Sequence, residues 1–131
     1  FHEGVDNIFE HALLGLKDAG VELVDEISLV PQIEIRKHEL IVMRTEFKVG
    51  LNAYLARQAS PGKIASLKEL IEFNEKNRKL TMPFFGQEQL IASEETDGLD
   101  NPIYKKALVT SRQLTREAGI DRILFDHDLW A

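Results

Sequence analysis

Apolar side chains at Val5, Ile8, Phe9, Ala12, Leu13 and Leu16 repeat at the i, i+3, i+4, i+7, i+8, i+11 spacing of one helical face. That spacing predicts an amphipathic helix over residues 3–19. Gly20 follows where a helix commonly ends in the left-handed conformation, which costs glycine nothing. The run Val21-Glu22-Leu23-Val24-Asp25-Glu26-Ile27 then mixes β-branched residues with acids, and predicts one short strand near 21–27. Helix, glycine and strand form the second half of a βαβ unit. No strand precedes the helix in this sequence, so the pattern is the one expected of a piece of a larger fold.

Leu40, Met43, Phe47, Leu51, Tyr54 and Leu55 keep helical spacing after Pro31. They predict a helix of about five turns that starts between Ile35 and Glu39. Gly50 inside it costs about 1 kcal/mol relative to alanine. A turn at Ser60-Pro61-Gly62 leads to Ser66-Leu67-Lys68-Glu69, a capping box with Ser66 as N-cap and Glu69 at N3. The helix behind it is expected to bury Leu67, Leu70, Ile71 and Phe73 and to end near Arg78. Pro83 interrupts any helix in the connector that follows, and a shorter helix is expected over about 87–96. Asn101-Pro102 supplies an N-cap and a proline at the first helical position. Ile103, Ala107, Leu108, Ser111, Leu114 and Ala118 share one face of the helix it opens, and Gly119 and Ile120 are placed to close it. Asp121 can cap a last helix to about Asp126. The fold class read from this pattern is α/β but predominantly helical, with about five or six helices and the one strand, in a single domain over 1–131.

Charge and composition narrow the function classes. The chain has 131 residues, 22 Asp and Glu against 16 Lys and Arg, a net charge of −6, 44% hydrophobic residues and no Cys. A nucleic-acid partner is not expected at this charge, because phosphate binding needs clustered Lys and Arg. The absence of Cys excludes disulfide scaffolds and thiolate metal sites. The longest apolar run, Leu40 to Met43, is far from the roughly 20 residues that span a bilayer. No basic head followed by an apolar stretch opens the sequence, so no signal peptide is expected, and the setting read from this is cytoplasmic.

Several familiar chemistries fail on spacing. Gly15 and Gly20 have the gap of a phosphate-binding loop, but Val21-Glu22 stands where Lys-Ser or Lys-Thr is required. No two glycines are two apart, so a dinucleotide fingerprint is absent. Asp126-His127-Asp128 cannot converge on one ion from consecutive helical positions, and His2, His11 and His38 read as surface or core residues; no metal site is expected. Ser28, Ser60, Ser66, Ser93 and Ser111 are isolated, and none lies in Gly-x-Ser-x-Gly. Lys76-Asn77-Arg78-Lys79 reads as the cationic end of a helix. The segment Met82-Pro83-Phe84-Phe85-Gly86-Gln87-Glu88 has two readings. Phe84 and Phe85 plug the core while Gln87-Glu88 opens the next helix, or the segment forms a pocket wall in which Phe84, Phe85, Gln87 and Glu88 face a ligand.

Four blocks in fixed order carry a family resemblance. They are Phe9 through Ala19-Gly20-Val21-Glu22-Leu23-Val24-Asp25; Glu46-Phe47-Lys48 with Leu51-Asn52-Ala53-Tyr54-Leu55; Ser66 through Phe73-Asn74; and Pro83-Phe84-Phe85-Gly86-Gln87-Glu88. The tail from Tyr104 through Gly119-Ile120-Asp121 to His127 fits as well. Together they resemble the C-terminal half of amidase signature enzymes, in the bacterial subgroup of peptide-amidase-like members and relatives of the glutamyl-tRNA amidotransferase A subunit. The resemblance covers nearly the whole chain. It implies a piece of the family's mixed-sheet fold, in which a core strand would begin at about Leu129. It also implies a parent enzyme that cleaves C–N amide bonds through a Ser–cis-Ser–Lys triad and an acyl-enzyme, without a cofactor.

The sequence contains no Ser-Ser pair and no Gly-Gly, so no catalytic residue carries over. What carries over is a place in the helical layer beside the substrate pocket, with Phe84, Phe85, Gln87 and Glu88 as pocket candidates. The partners implied are the rest of the parent chain and a small amide substrate. A fragment of this kind is expected to be inactive alone. It is also expected to self-associate as a homo-oligomer through strand edges and an uncovered apolar face, with no membrane contact. Two alternatives remain open: a helical interaction or dimerisation module with no enzymatic parent, and an amidotransferase subunit that feeds ammonia to a tRNA-bound substrate.

Overall fold

Helix α2 (Gln32–Gln58), 27 residues long, is the spine of the structure. At 1.5 Å per residue it spans about 40 Å. The computed structural model describes residues 2–25, 27–58, 60 and 63–129. Ahead of the spine lies α1 (Glu3–Asp18), and behind it come α3 (Leu67–Lys76), the single turn α4 (Arg78–Thr81), α5 (Glu88–Glu94) and α6 (Pro102–Arg112). The chain leaves α6 through the wide, π-type turns of Gln113–Ile120 and finishes in α7 (Asp121–Asp126). Helices α3, α5 and α6 all pack against α2, α3 also meets α5, and α7 packs back on the wide turns.

Local signals account for most helix ends. The Val21 N–H reaches the Leu16 carbonyl at 3.0 Å and the Gly20 N–H reaches Lys17 at 2.9 Å. With Gly20 at φ +90°, this is a complete Schellman closure of α1. Asp128, at φ +52°, takes the same role after α7, where the Leu129 N–H donates to the Leu124 carbonyl at 2.8 Å. Asn101 Oδ1 accepts the Ile103 N–H at 2.7 Å, so α6 starts where the Asn-Pro pair placed it.

Ser66 Oγ accepts the Glu69 N–H at 3.2 Å, while Glu69 Oε2 reaches back to the Ala65 N–H at 2.7 Å. The reciprocal bond therefore lands one residue before the cap. Ser66→Ala is expected to cost about 1 kcal/mol of folding stability, the usual value of a lost N-cap, as a lower denaturation midpoint with an unchanged denaturant slope.

The strand expected near 21–27 does not form. Residues 21–25 and 27–30 run as irregular chain, and no strand occurs among the described residues. An isolated extended segment has no ladder partner for its N–H and C=O groups, and none of the described residues lies alongside it in extended form. The α/β assignment is thereby corrected to all-helical. Helix number and bounds shift too. The spine begins at Gln32, directly after Pro31, and the expected end near Arg78 is split by a turn at Asn77.

Gly119 does not end a helix in the left-handed conformation. Its φ of −107° and ψ of −114° make a kink inside the wide turns. A Cβ placed there would meet the Leu114 carbonyl oxygen at 2.7 Å, so close backbone approach is what requires glycine. Asp121 caps nothing; its carboxylate pairs with Arg116 at 3.2 Å.

The buried interior is small. Leu67 and Ala107 are its apolar members, and Thr45, Gln87 and Ser93 its polar ones. Many large apolar side chains remain partly exposed, so the helices form an open layer. No described helix is long and apolar enough to cross a membrane.

Candidate functional site

The Met82–Gln87 connector is pinned to α3 at both ends, and Asn74 is the shared anchor. Thr81 Oγ1 donates to the Asn74 carbonyl at 3.1 Å. On the other side, Asn74 Nδ2 donates to Gln87 Oε1 at 3.2 Å, and Gln87 Nε2 donates to the Ile71 carbonyl at 3.1 Å. Gln87 is 8% exposed, so its amide is a buried fastening whose two ends both meet protein groups. Between the anchors, Phe84 and Phe85 project outward at 92% and 83% exposure. Glu88 is exposed at the first turn of α5, where a carboxylate suits the helix dipole.

The four residues singled out from sequence therefore separate. Phe84 and Phe85 lie together on the outer surface and do not plug the core. Gln87 faces inward, and Gln87-Glu88 does open α5.

The spine carries a row of polar side chains that reach α3, α5 and α6. Arg44 donates to Gln89 Oε1 from Nη2 at 3.0 Å and from Nε at 3.3 Å. Glu46 accepts the Tyr104 hydroxyl at 2.8 Å. Lys48 donates to the backbone carbonyls of Glu94 and, at 2.9 Å, Thr96, and its ammonium lies 3.5 Å from Glu94 Oε1. Asn52 Oδ1 accepts the Leu67 N–H at 2.7 Å. Lys48 thus closes the carboxyl end of α5 and Asn52 the amino end of α3, both positions where a helix lacks internal partners.

The Glu46 hydrogen bond favours the neutral Tyr104 phenol and, with some desolvation and the adjacent Glu46 charge, raises its pKa above the ordinary tyrosine value against an opposing pull from Arg112. A raised acid holds its proton in the folded state. The stabilisation from this bond is therefore present at and below neutral pH and is lost as pH rises through the phenol's titration.

Sequence reading passed over this row as polar staples. The available signal was spacing: Arg44, Lys48 and Asn52 lie four residues apart, one stripe along a single face of the helix.

Clefts indent the surface formed by the described residues. One, of about 460 Å³, lies between residues 27–30 and the end of the chain, with Ala118, Ile123 and His127 among its walls; Arg122 and Asp126 on its rim pair at 3.0 Å. The other, of about 230 Å³, lies between α2, α5 and α6 and includes Thr45, Tyr104 and Asn101. Phe84, Phe85, Gln87 and Glu88 line neither. Ser66 is occupied in capping, and Ser93 Oγ donates to the Gln89 carbonyl at 2.7 Å. Among the described residues no three His, Asp or Glu side chains converge in a metal-holding group.

The architecture has a counterpart in solved enzymes. Over 98% of its length the chain matches the native peptide amidase from Stenotrophomonas maltophilia, with 33% identity and a TM-score of 0.82. This is an amidase-like fold. The same figures hold for a peptide amidase in complex with the competitive inhibitor chymostatin. The chain spans 26% of the length of each of these amidases. No family model matches the chain, and comparison with curated proteins gives no match. In this amidase-like layer, the blocks around Glu46, Asn52, Asn74 and Gln87 that carry the sequence resemblance hold side chains that fasten one element to another.

Proposed function

We propose that this chain is a segment of an amidase whose full-length form hydrolyses C–N amide bonds through a serine acyl-enzyme, and that the 131 residues alone are inactive. The observation that carries the reading is similarity to peptide amidases across 98% of the chain, at 33% identity, within only 26% of the amidase length. The sequence fits the second half of the proposal. Acyl transfer needs an activated nucleophile and N–H donors aimed at the oxyanion, and the chain has neither a Ser-Ser pair nor a Gly-Gly stretch to supply them.

In this reading the helical layer stands beside the substrate pocket of the parent. Phe84 and Phe85 supply an apolar contact surface, and Gln87 and Asn74 hold it in position. The rest of the parent chain and a small amide substrate are the partners. A Cys-free sequence needs no oxidising compartment, which supports a cytoplasmic setting.

The test is direct. Purified residues 1–131, shown to be helical by circular dichroism, are expected to release no ammonia from C-terminally amidated peptides above the buffer rate. Saturable hydrolysis by this chain overturns the claim of inactivity. A longer chain that contains this segment is expected to turn over the same peptide amides, and its failure to do so overturns the amidase reading.

A further inference from the structure

The apolar spacing along the last two helices breaks at one place. Ala107, Ser111, Leu114 and Ala118 follow one another at three or four residues. The next apolar residue on that side, Ile123, comes five later, and Ala118 and Ile123 both line the cleft against residues 27–30. A step of five is the width of the turn between them, where the Asp121 N–H bonds to the Arg116 carbonyl. Phe125 meanwhile stands 85% exposed. We infer that Gln113–Asp126 is a two-register switch, in which the wide turn keeps this cleft open and a regular α-helix over the same residues turns Phe125 into it.

One residue of register separates the two forms. Each α-helical residue advances about 100° round the axis, so closing the wide turn rotates α7 by that amount. Phe125 then takes the place of Asp126 on the cleft wall, opposite Ile27, Leu29 and Val30, and Leu124 takes the outward place of Phe125. The closed form therefore gains the burial of an aromatic ring. Two features hold the open form. At Gly119 a Cβ would meet the Leu114 carbonyl oxygen at 2.7 Å, so only glycine permits the kink. Arg116 Nε donates to both carboxylate oxygens of Asp121 at 3.2 Å, a pair that a regular helix would set about 140° apart. The regular form would instead place Asp121 four residues after Glu117 on one face, carboxylate beside carboxylate. A glycine and an exposed ion pair are contacts that one substitution can reverse.

Nothing in the switch depends on the amidase reading, which has its own assay. Hydroxyl-radical labelling reads side-chain exposure in the chain as it stands, and Phe125 is expected to be oxidised rapidly. Gly119→Ala is expected to protect Phe125 several-fold and to raise the labelling of Leu124. Unchanged labelling of Phe125 overturns the proposal. So does rapid labelling of both residues, which would show α7 melted and no second register. Deletion of Glu117 is the second arm. It removes the extra residue, sets Arg116 and Asp121 four apart in a regular helix, and returns Ile123 to regular spacing with the cleft open. Phe125 is expected to stay exposed, and the denaturation midpoint to stay near that of the unaltered chain. A deletion that protects Phe125 or unfolds α7 overturns the proposal.

Discussion

Leu67→Ala is expected to lower the unfolding free energy by about 2–5 kcal/mol. Leu67 is the one large side chain that is fully buried among the described residues. It sits where α3 begins against the spine and α5, directly behind the Ser66 cap, and its own N–H is held by Asn52 at 2.7 Å. Alanine is the better helix former, so the loss reads the transfer term and the cavity, not local propensity. Neighbouring apolar side chains are only half covered and can settle into part of the space, which favours the lower half of that range. In a urea titration the midpoint falls while the slope stays constant. Leu80→Ala is the control: Leu80 is 81% exposed, and its truncation should stay within about 0.5 kcal/mol. A Leu67→Ala loss as small as that control would remove Leu67 from the centre of the core.

Lys48→Met is expected to cost about 2–3 kcal/mol, the usual range when charged hydrogen bonds are removed from partly buried acceptors. Methionine keeps much of the stem's packing but removes the ammonium. The Glu94 and Thr96 carbonyls at the end of α5 then lose their donor. The Glu94 carboxylate loses its cation in a place where one of its oxygens, Oε2, already lacks a partner. Lys48 and Glu94 side chains are 22% and 29% exposed, against 67% and 54% for the Lys37–Glu34 pair. Removing Lys37 should therefore change little, as exposed pairs contribute about 0–1 kcal/mol. Adding Glu94→Gln to Lys48→Met is expected to recover part of the loss, because the double variant no longer holds an unpaired carboxylate. Strict additivity of the two substitutions would show that Lys48 acts only through the α5 carbonyls.

These two variants probe contacts of different legibility. The Ser66 cap, the Asn101-Pro102 start and the Gly20 closure are all local, set by residues within three or four positions of one another, and sequence spacing places each of them. The Lys48 and Asn52 fastenings join residues far apart in the chain, and no local pattern names their partners. The expected strand failed for a related reason. Val21, Leu23 and Ile27 have strand-like composition, but a strand exists only with a neighbour, and composition cannot supply one. Phe84 and Phe85 were ambiguous because hydrophobicity alone does not fix direction. The anchoring of Thr81 and Gln87 on Asn74 does, by turning the intervening residues outward.

Among the described residues every buried one lies beyond Gln32, while α1 stands ahead of an irregular connector. Two kinds of order therefore coexist in one polypeptide. The layer built on α2 carries its own interior. An unaccompanied helix of 16 residues is only marginally stable in water. Its helix content must rise with whatever it binds. Glu3–Asp18 should thus melt ahead of the layer built on α2 when the chain is heated alone, so that part of the secondary structure depends on what covers it.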